Sequence, residues 1–388
     1  MDIVLFNIHD VVLLMTTYQC VLFALLLVTH IGGNKLRNYL LAGFLLSHAC
    51  ISLDILISFG EVFREWALSV SPNLFYNFGL AYWLEGPLLY WYTKSVLYKD
   101  FTLRKWDLLH LLPMILYGMT LVDFYALSYT EKINVLQTHD IHTQPIGDFI
   151  VGVIREATRA GYGVLTLWQI ANYRNLLKTK FSSIENINFS WLNILVGGFL
   201  MVRAWAVLVS VSVLLAIGFD VHVDYRILGL TGNYAVFVLI STLIFFSLNN
   251  SSVFEGIEEK PNTLKIQDKD PIKSELIERI VQVMEEEKPY LAHTLTLDEL
   301  AERIPINARA LSMIINRHFN RNFFEFVNYY RIEEAKKMLR DQDSMDKSVL
   351  NIMLDVGFNS KAAFNTFFKK FVGLTPSQYR KKMQTEAA

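Results

Sequence analysis

The sequence predicts an all-α chain: an N-terminal seven-helix transmembrane bundle, then a soluble domain with two helix-turn-helix units joined by a long helix. Three observations predict it. Hydrophobic residues make up 53% of the 388 residues and charged residues only 19%. The apolar excess is confined to residues 1–250, so the two parts belong to two solvents. Lys and Arg alternate between successive loops of the apolar part. The tail, finally, repeats a short helix, a tight turn and a second short helix.

A bilayer core of roughly 30 Å takes about 20 apolar residues as a helix, and backbone facing lipid must satisfy its own hydrogen bonds. Seven segments meet that need: residues 11–31, 39–59, 74–92, 108–127, 149–171, 191–217 and 227–248. The fifth carries Arg155, Glu156 and Arg159 in its first half. Bases gather in the odd loops, with Lys35 and Arg37 in the first, Lys94, Lys99, Arg104 and Lys105 in the third, and Arg174, Lys178 and Lys180 in the fifth. The even loops offer only Arg64, Lys132 and Arg226, and no base precedes the first segment. The odd loops are therefore expected in the cytoplasm, the N-terminus outside, and the tail in the cytoplasm after seven crossings. That describes a multi-pass protein of the cytoplasmic membrane. The absence of a basic n-region and of a small-residue cleavage site reads as a retained first helix rather than a removed signal peptide.

Cys20 and Cys50 both fall in apolar runs and read as packing residues, with neither a disulfide framework nor a zinc site. His139 and His142 are too sparse for a metal centre. No Gly-rich phosphate loop, His-Glu-x-x-His or Gly-x-Ser-x-Gly motif occurs, so no catalytic residue, cofactor or metal is expected.

Charges within a span cost roughly 2.5–3.5 kcal/mol each on insertion scales, which makes every one a candidate for function. The candidates are Asp54, Glu85, Arg155, Glu156, Arg159 and Arg203. Of these, Glu85, Arg155, Arg159 and Arg203 are read as lining a ligand pocket; the competing reading is intramembrane ion pairing that orients the bundle.

The tail opens with a polar linker, residues 251–271, rich in Asn, Ser, Glu and Pro. Residues 272–287 place Leu276, Ile277, Ile280, Val283 and Met284 at helical spacing. Thr296 and Glu299 form a capping-box pattern for a short helix that Pro305 stops, and Asn307 caps a second helix reaching about residue 319. A longer helix is predicted over 323–340, with Phe326, Val327, Tyr330, Ala335, Met338 and Leu339 in its stripe. The pattern then repeats as a short helix over 348–355, a turn at Val356-Gly357-Phe358-Asn359 with glycine available for positive φ, and a second helix over 360–371. Acids dominate residues 272–302 and bases the remainder, and a basic end suits a polyanion.

Residues 356–380 combine a Gly357-Phe358 turn, Phe364, Phe368-Lys369-Lys370, Gly373, Thr375-Pro376 and Tyr379-Arg380. This combination resembles the signature of the AraC/XylS regulators. The resemblance extends over about residues 272–382, including Arg331-Ile332 and Ala335. Glu85-Gly86-Pro87-Leu88-Leu89-Tyr90 is similar to a segment of membrane-bound members. The resemblance implies that a rigid helix sets two reading helices into successive major grooves on one face of DNA, about 34 Å apart. It also implies base-facing positions at Arg309, Ser312 and Met313 in the first unit and at Lys361, Ala362, Asn365 and Thr366 in the second. Lys369, Lys370 and Arg380 suit phosphates. Where the family carries a Leu-Ser-Arg-x-Phe-Lys type of run, this chain has Leu311-Ser312-Met313-Ile314-Ile315-Asn316, so the first unit is expected to read sequence less stringently. Phe358, Phe364, Phe367, Phe368 and Phe371 are expected in the core.

The resulting expectation is a one-component transcription regulator in which a membrane or small-molecule signal changes promoter occupancy. Its partners would be double-stranded promoter DNA and membrane lipid, with RNA polymerase and a second copy of the chain as further candidates. The alternative is a membrane transporter or enzyme whose tail is a regulatory interaction module, against which stand the missing catalytic motifs and the lack of a half-to-half repeat.

Overall fold

In an apolar solvent a helix answers for its own backbone donors and acceptors, and in the chain, described here as a computed structural model, most of the described residues of the apolar part are helical. The structure describes residues 7–29, 34–137, 146–184, 190–219, 225–249, 274–341 and 347–387; the predicted linker 251–271, like His139 and His142, lies outside them. No strand occurs among the described residues, although an isolated antiparallel bridge joins Phe181 to Thr296. The chain forms two compact units, Met1–Ile170 with Phe189–Pro261, and Ala171–Asn188 with Asn262–Ala388.

The first unit contains α1 (Ile8–Thr29), α2 (Lys35–Phe59), α3 (Glu61–Val70), α4 (Ala81–Leu97), α5 (Leu112–Thr120), α6 (Val122–Ala126) and α7 (Tyr129–Gln137). It continues with the first part of α8 (Ile146–Lys180), then α9 (Ser190–Phe219) and α10 (Tyr225–Asn249). Helix α1 packs on α2 and α10, α2 on α4, and α9 on α10. Among the described residues five stretches, not seven, are long and apolar enough to cross a membrane: Ile8–Thr29, Lys35–Phe59, Lys105–Ala126, Leu192–Ala216 and Leu228–Phe245. The two that fall short do so for different reasons. The segment predicted over 74–92 opens as the 3₁₀ turns Pro72–Leu74 and Asn77–Leu80 around Tyr76 at φ 65°, which leaves α4 only 17 residues. The segment predicted over 149–171 lies within the 35-residue α8, where three charges lower its apolar character.

Close approach of α4 and α8 depends on Gly86, where an added Cβ would lie 2.6 Å from the ring of Tyr162. Two of the sparse bases of the even loops, Arg64 and Lys132, have structural work. Arg64 donates to the carbonyls of Ser58 at 2.8 Å and Leu136 at 2.6 Å, and Lys132 donates to that of Tyr125 at 2.8 Å. These bonds close α3 and α7 over a small core of Ile57, Ala67, Phe75 and Leu136.

In the second unit, α11 (Ser274–Gln282) runs on as a π-helical turn, Val283–Glu287, that Lys288 ends in left-handed backbone. Each later helix begins where the sequence supplies a side-chain acceptor for its free N–H groups. Thr296 and Glu299 exchange bonds in a capping box at α12 (Leu297–Arg303), and Asn307 caps α13 (Ala308–His318). Asn322 caps α14 (Phe323–Arg340), Ser348 caps α15 (Val349–Asp355) and Ser360 caps α16 (Lys361–Val372). Gly373 ends α16 at φ 80°, and α17 (Pro376–Ala387) follows. Helix α14 feeds two cores. Phe323, Phe326 and Val327 join Leu300, Leu311 and Ile315 in the first, whereas Phe324, Ile332, Ala335 and Leu339 join Phe364 and Phe368 in the second.

Gly357, at φ 89° in the turn between α15 and α16, sets the turn against backbone, since an added Cβ would lie 2.7 Å from the carbonyl oxygens of both Tyr290 and Leu291. Backbone cannot swing aside as a side chain can. Gly357→Ala is therefore expected to destabilise the second unit by more than about 1 kcal/mol. The measurement is its denaturant midpoint, and an unchanged midpoint would contradict this packing.

Candidate nucleic-acid interface and a buried charged cluster

Helices α12 and α13 form one pair across a tight turn, and α15 and α16 form another. Burial of one face fixes which residues of each second helix remain outward. Leu311, Ile314 and Ile315 anchor α13, and Phe364, Phe367 and Phe368 anchor α16, all at or below 9% exposure. On the opposite side of α13, Arg309 is exposed while Ser312 and Met313 are half-buried. On α16, Lys361, Ala362 and Thr366 are exposed and Asn365 is half-buried. Three of these positions are already engaged locally. The Asn316 amide donates to the Ser312 carbonyl at 2.9 Å, and the Thr366 hydroxyl donates to that of Ala362 at 2.8 Å.

The three cations assigned to phosphates differ. Lys369 is exposed on the last turn of α16. Lys370 is exposed too, but its ammonium meets Glu325 of α14 at 2.6 Å. Arg380 is half-buried on α17, beside Tyr379, whose ring lies under the Arg340 guanidinium at 5.4 Å. Arg321 shows what a count of bases misses. Its guanidinium stacks 3.8 Å from the Tyr329 ring centre and 5.7 Å from that of Phe371, tying the start of α14 to α16. Phe358, Phe364, Phe367 and Phe368 are buried, as expected of core residues, and Phe371 is half-buried.

In the first unit the four residues assigned to a pocket come together around Glu85. His48 Nε2 lies 2.9 Å from Glu85 Oε1. The Arg159 guanidinium pairs with Glu85 Oε2 and reaches Glu156 at 2.8 Å. Arg203 of α9 places Nη1 3.5 Å from Glu156 and 3.8 Å from Glu85. Arg155, more open than the others, contacts Glu156 at 3.1 Å and lies 4.1 Å over the ring of Tyr82. Helices α2, α4, α8 and α9 each contribute, so pairing orients all four. Glu156 was legible as a charge within an apolar run, but His48 and Tyr82 were not, because either residue in such a run is ordinary packing material. Two carboxylates face three guanidiniums, and Arg203 Nε makes no hydrogen bond among the described residues.

Removing one partner from a buried pair strands the other's charge, at about 3–5 kcal/mol. Glu85→Ala is expected to show a loss of that order in unfolding from detergent micelles, because Arg159, Arg203 and His48 all lean on one carboxylate. The double change Glu85→Leu with Arg159→Met should recover much of it. Equal losses for the single and double variants would mean that the pairing does not hold the bundle.

Comparison with known proteins assigns the tail. Residues 300–382 match the helix-turn-helix domain family. The melibiose operon regulatory protein of Escherichia coli strain K12 is 36% identical over 90 residues, 23% of this chain and 29% of that protein. Two regulators of Pseudomonas aeruginosa are also similar. The transcriptional regulator CdhR is 31% identical over 109 residues, 28% of this chain and 32% of its own, and ArgR is 30% identical over 94 residues, 24% and 28% respectively. The chain thus spans about a third or less of the length of these relatives. No solved structure matches the chain. The C-terminal part of the chain is accordingly an AraC-type helix-turn-helix domain whose relatives are transcription regulators.

Proposed function

We propose that this chain is a membrane-embedded one-component transcription regulator that binds promoter DNA through its two helix-turn-helix units. The observation that carries the reading is the presence, in one polypeptide, of such a domain and of five helices long and apolar enough to cross a bilayer. In this reading α4 and α8 complete a seven-helix bundle as interior members, since Glu85, Glu156 and Arg159 pair with one another rather than face lipid. The base-rich odd loops give an outside N-terminus and a cytoplasmic tail. The segment after α8, assigned to the cytoplasm by Lys178 and Lys180, shares a compact unit with the tail. That is what two further crossings between them require.

On DNA, α13 and α16 enter successive major grooves. Arg309, Ser312 and Met313 face bases from the first head, and Lys361, Ala362, Asn365 and Thr366 from the second, with the Ala362 methyl suited to thymine. Lys369, Lys370 and Arg380 take phosphates, Lys370 by exchanging Glu325 for the backbone. The Glu85 cluster, with Arg155, Arg159 and Arg203, is the seat of the signal, where an anionic ligand would compete with carboxylates for the guanidiniums. RNA polymerase and a second copy of the chain are further partners in this scheme.

Mapping DNA bound by the full-length protein in its native membrane tests the function, and recovery of no enriched sequence sinks it. Within a recovered operator, Asn365→Ala is expected to cost about 1–3 kcal/mol and relax specificity at one base pair, whereas Lys369→Ala should weaken all sequences alike and lower the salt slope by about one. A fluorescent reporter fused after Gln384 is expected to report from the cytoplasm; an extracytoplasmic signal excludes the topology.

A further inference from the structure

The guanidinium of Arg331 on α14 is 1% exposed and donates to three backbone carbonyls, a side-chain amide oxygen and a hydroxyl. A guanidinium carries five N–H donors, and here each has an acceptor. Nε donates to the Tyr290 carbonyl at 2.7 Å. Nη1 donates to Asn328 Oδ1 at 3.1 Å and to the Ser182 carbonyl at 3.2 Å. Nη2 donates to the Ala292 carbonyl at 2.8 Å and to the Ser182 hydroxyl at 3.2 Å. Two of the five acceptors therefore come from one residue lying just beyond α8, far from the rest in sequence.

That residue is held on every side. Ser182 is 1% exposed; its backbone N–H and its hydroxyl both donate to the Leu295 carbonyl, at 3.1 and 2.6 Å, and its carbonyl also accepts from the Asn328 amide at 3.2 Å. Its neighbours extend the contact in two directions. Phe181 forms a bridge with Thr296, the cap of α12 in the first head. Ser183 Oγ lies 3.4 Å from Asn359 Oδ1 in the turn of the second head, and Ile184 packs against the second head's core. Four residues thus touch the entrance of the first head, the helix joining the heads, and the turn of the second.

We propose that residues 181–184 are a built-in ligand of the helix-turn-helix domain, seated on Leu295, Asn328 and Arg331, and that seating holds the two heads in their DNA-reading arrangement. The receptor is incomplete without its occupant. Withdrawing Ser182 strands two donors of a buried cation and one of a buried amide, a loss greater than that of ordinary neutral hydrogen bonds. It occurs on the stretch of α14 between Phe326 and Val327 of the first core and Ile332 and Ala335 of the second. The segment is also the immediate continuation of α8, an unbroken helix from Ile146 to Lys180 that carries Arg155, Glu156 and Arg159 in its earlier part. A helix is stiff along its axis, so a shift or rotation of α8 that follows re-pairing of those charges arrives at residue 181. This inference rests on the regulator reading and supplies its route from signal to DNA.

The test uses the full-length protein in membrane nanodiscs and the operator recovered by mapping. A photo-reactive benzoylphenylalanine placed at Phe181 is expected to cross-link to peptides covering 290–298 or 324–332; adducts elsewhere, or none, overturn the docking. Ser182→Trp, too large for the enclosed site, is expected to weaken binding to the two-half-site operator about tenfold, within the range of coupling between sites. Its affinity for an isolated half-site should stay within about twofold of the parent, because each reading helix keeps its own core. An unchanged ratio between the two DNAs overturns the proposal. Should the Ser182→Trp chain fail to accumulate, Ile184→Asp, half-buried in the parent and at the end of the segment, answers the same question. Failure of the parent protein to bind DNA sinks the regulator reading itself, whereas parent binding with an indifferent Ser182→Trp sinks only this inference.

Discussion

Burying Arg331 obliges the chain to bring five acceptors to one point on α14, and much of the second unit is arranged by that demand. A cation out of water is tolerable only when every donor on it is met. Carbonyl oxygens meet most of them here, and a carbonyl can point inward only where its segment has left regular secondary structure. The stretch from Lys288 to Thr296 does so, after a π-helical turn and a residue in left-handed backbone have taken α11 out of register. Lys288 and Tyr290 both reach back to Glu334 on α14, one turn from Arg331. Burial alone would raise the Glu334 carboxyl, but the hydrogen bond and charge of Lys288, with Lys337 beside it, hold it below the usual carboxylate range. The same burial, with the Glu334 carboxylate close by, pushes the Tyr290 phenol well above its ordinary value.

The first unit meets a similar demand with opposite charges. Glu85 has no carbonyl-rich loop near it in the interior of a helical bundle, so its partners are the side chains His48, Arg159 and Arg203. Such a pairing is directional. It fixes the rotation of each contributing helix about its own axis, something that apolar packing between featureless leucine and valine surfaces does poorly. Gly86, next to Glu85, allows the close approach of α4 to Tyr162 of α8.

The two halves were unequally legible in the sequence, for a physical reason. Helix starts in the tail are written in local code: Thr296, Asn307, Ser348 and Ser360 each stand where a free N–H needs an acceptor, and Gly357 and Gly373 where φ turns positive. No comparable punctuation marks an apolar run. Residues 74–80 are as hydrophobic as a spanning helix but fold as 3₁₀ turns, and only neighbours distant in sequence decide that. The reading-helix residues were visible by type, yet whether a base is spoken for depends on tertiary partners. Glu325 for Lys370 and Tyr329 for Arg321 could not be seen in advance. Ser182 was the least visible of all. A serine in a loop carries no pattern, and its importance comes from an arginine 149 residues away. Asn328 and Arg331 did leave a trace, as polar residues interrupting the apolar stripe of α14.

The turn at Gly357 bears on how such a domain can change over evolutionary time. To the eye the heads are a repeated motif, and repeats invite exchange, duplication or separate inheritance. Main-chain oxygens of the first head's approach segment occupy the space that a side chain at the second head's turn would need. The halves are therefore cut to one another and not to a shared standard. Lengthening a loop or grafting a foreign head would break a fit between backbones, so new sequence preferences are open to this architecture chiefly through the outward faces of α13 and α16.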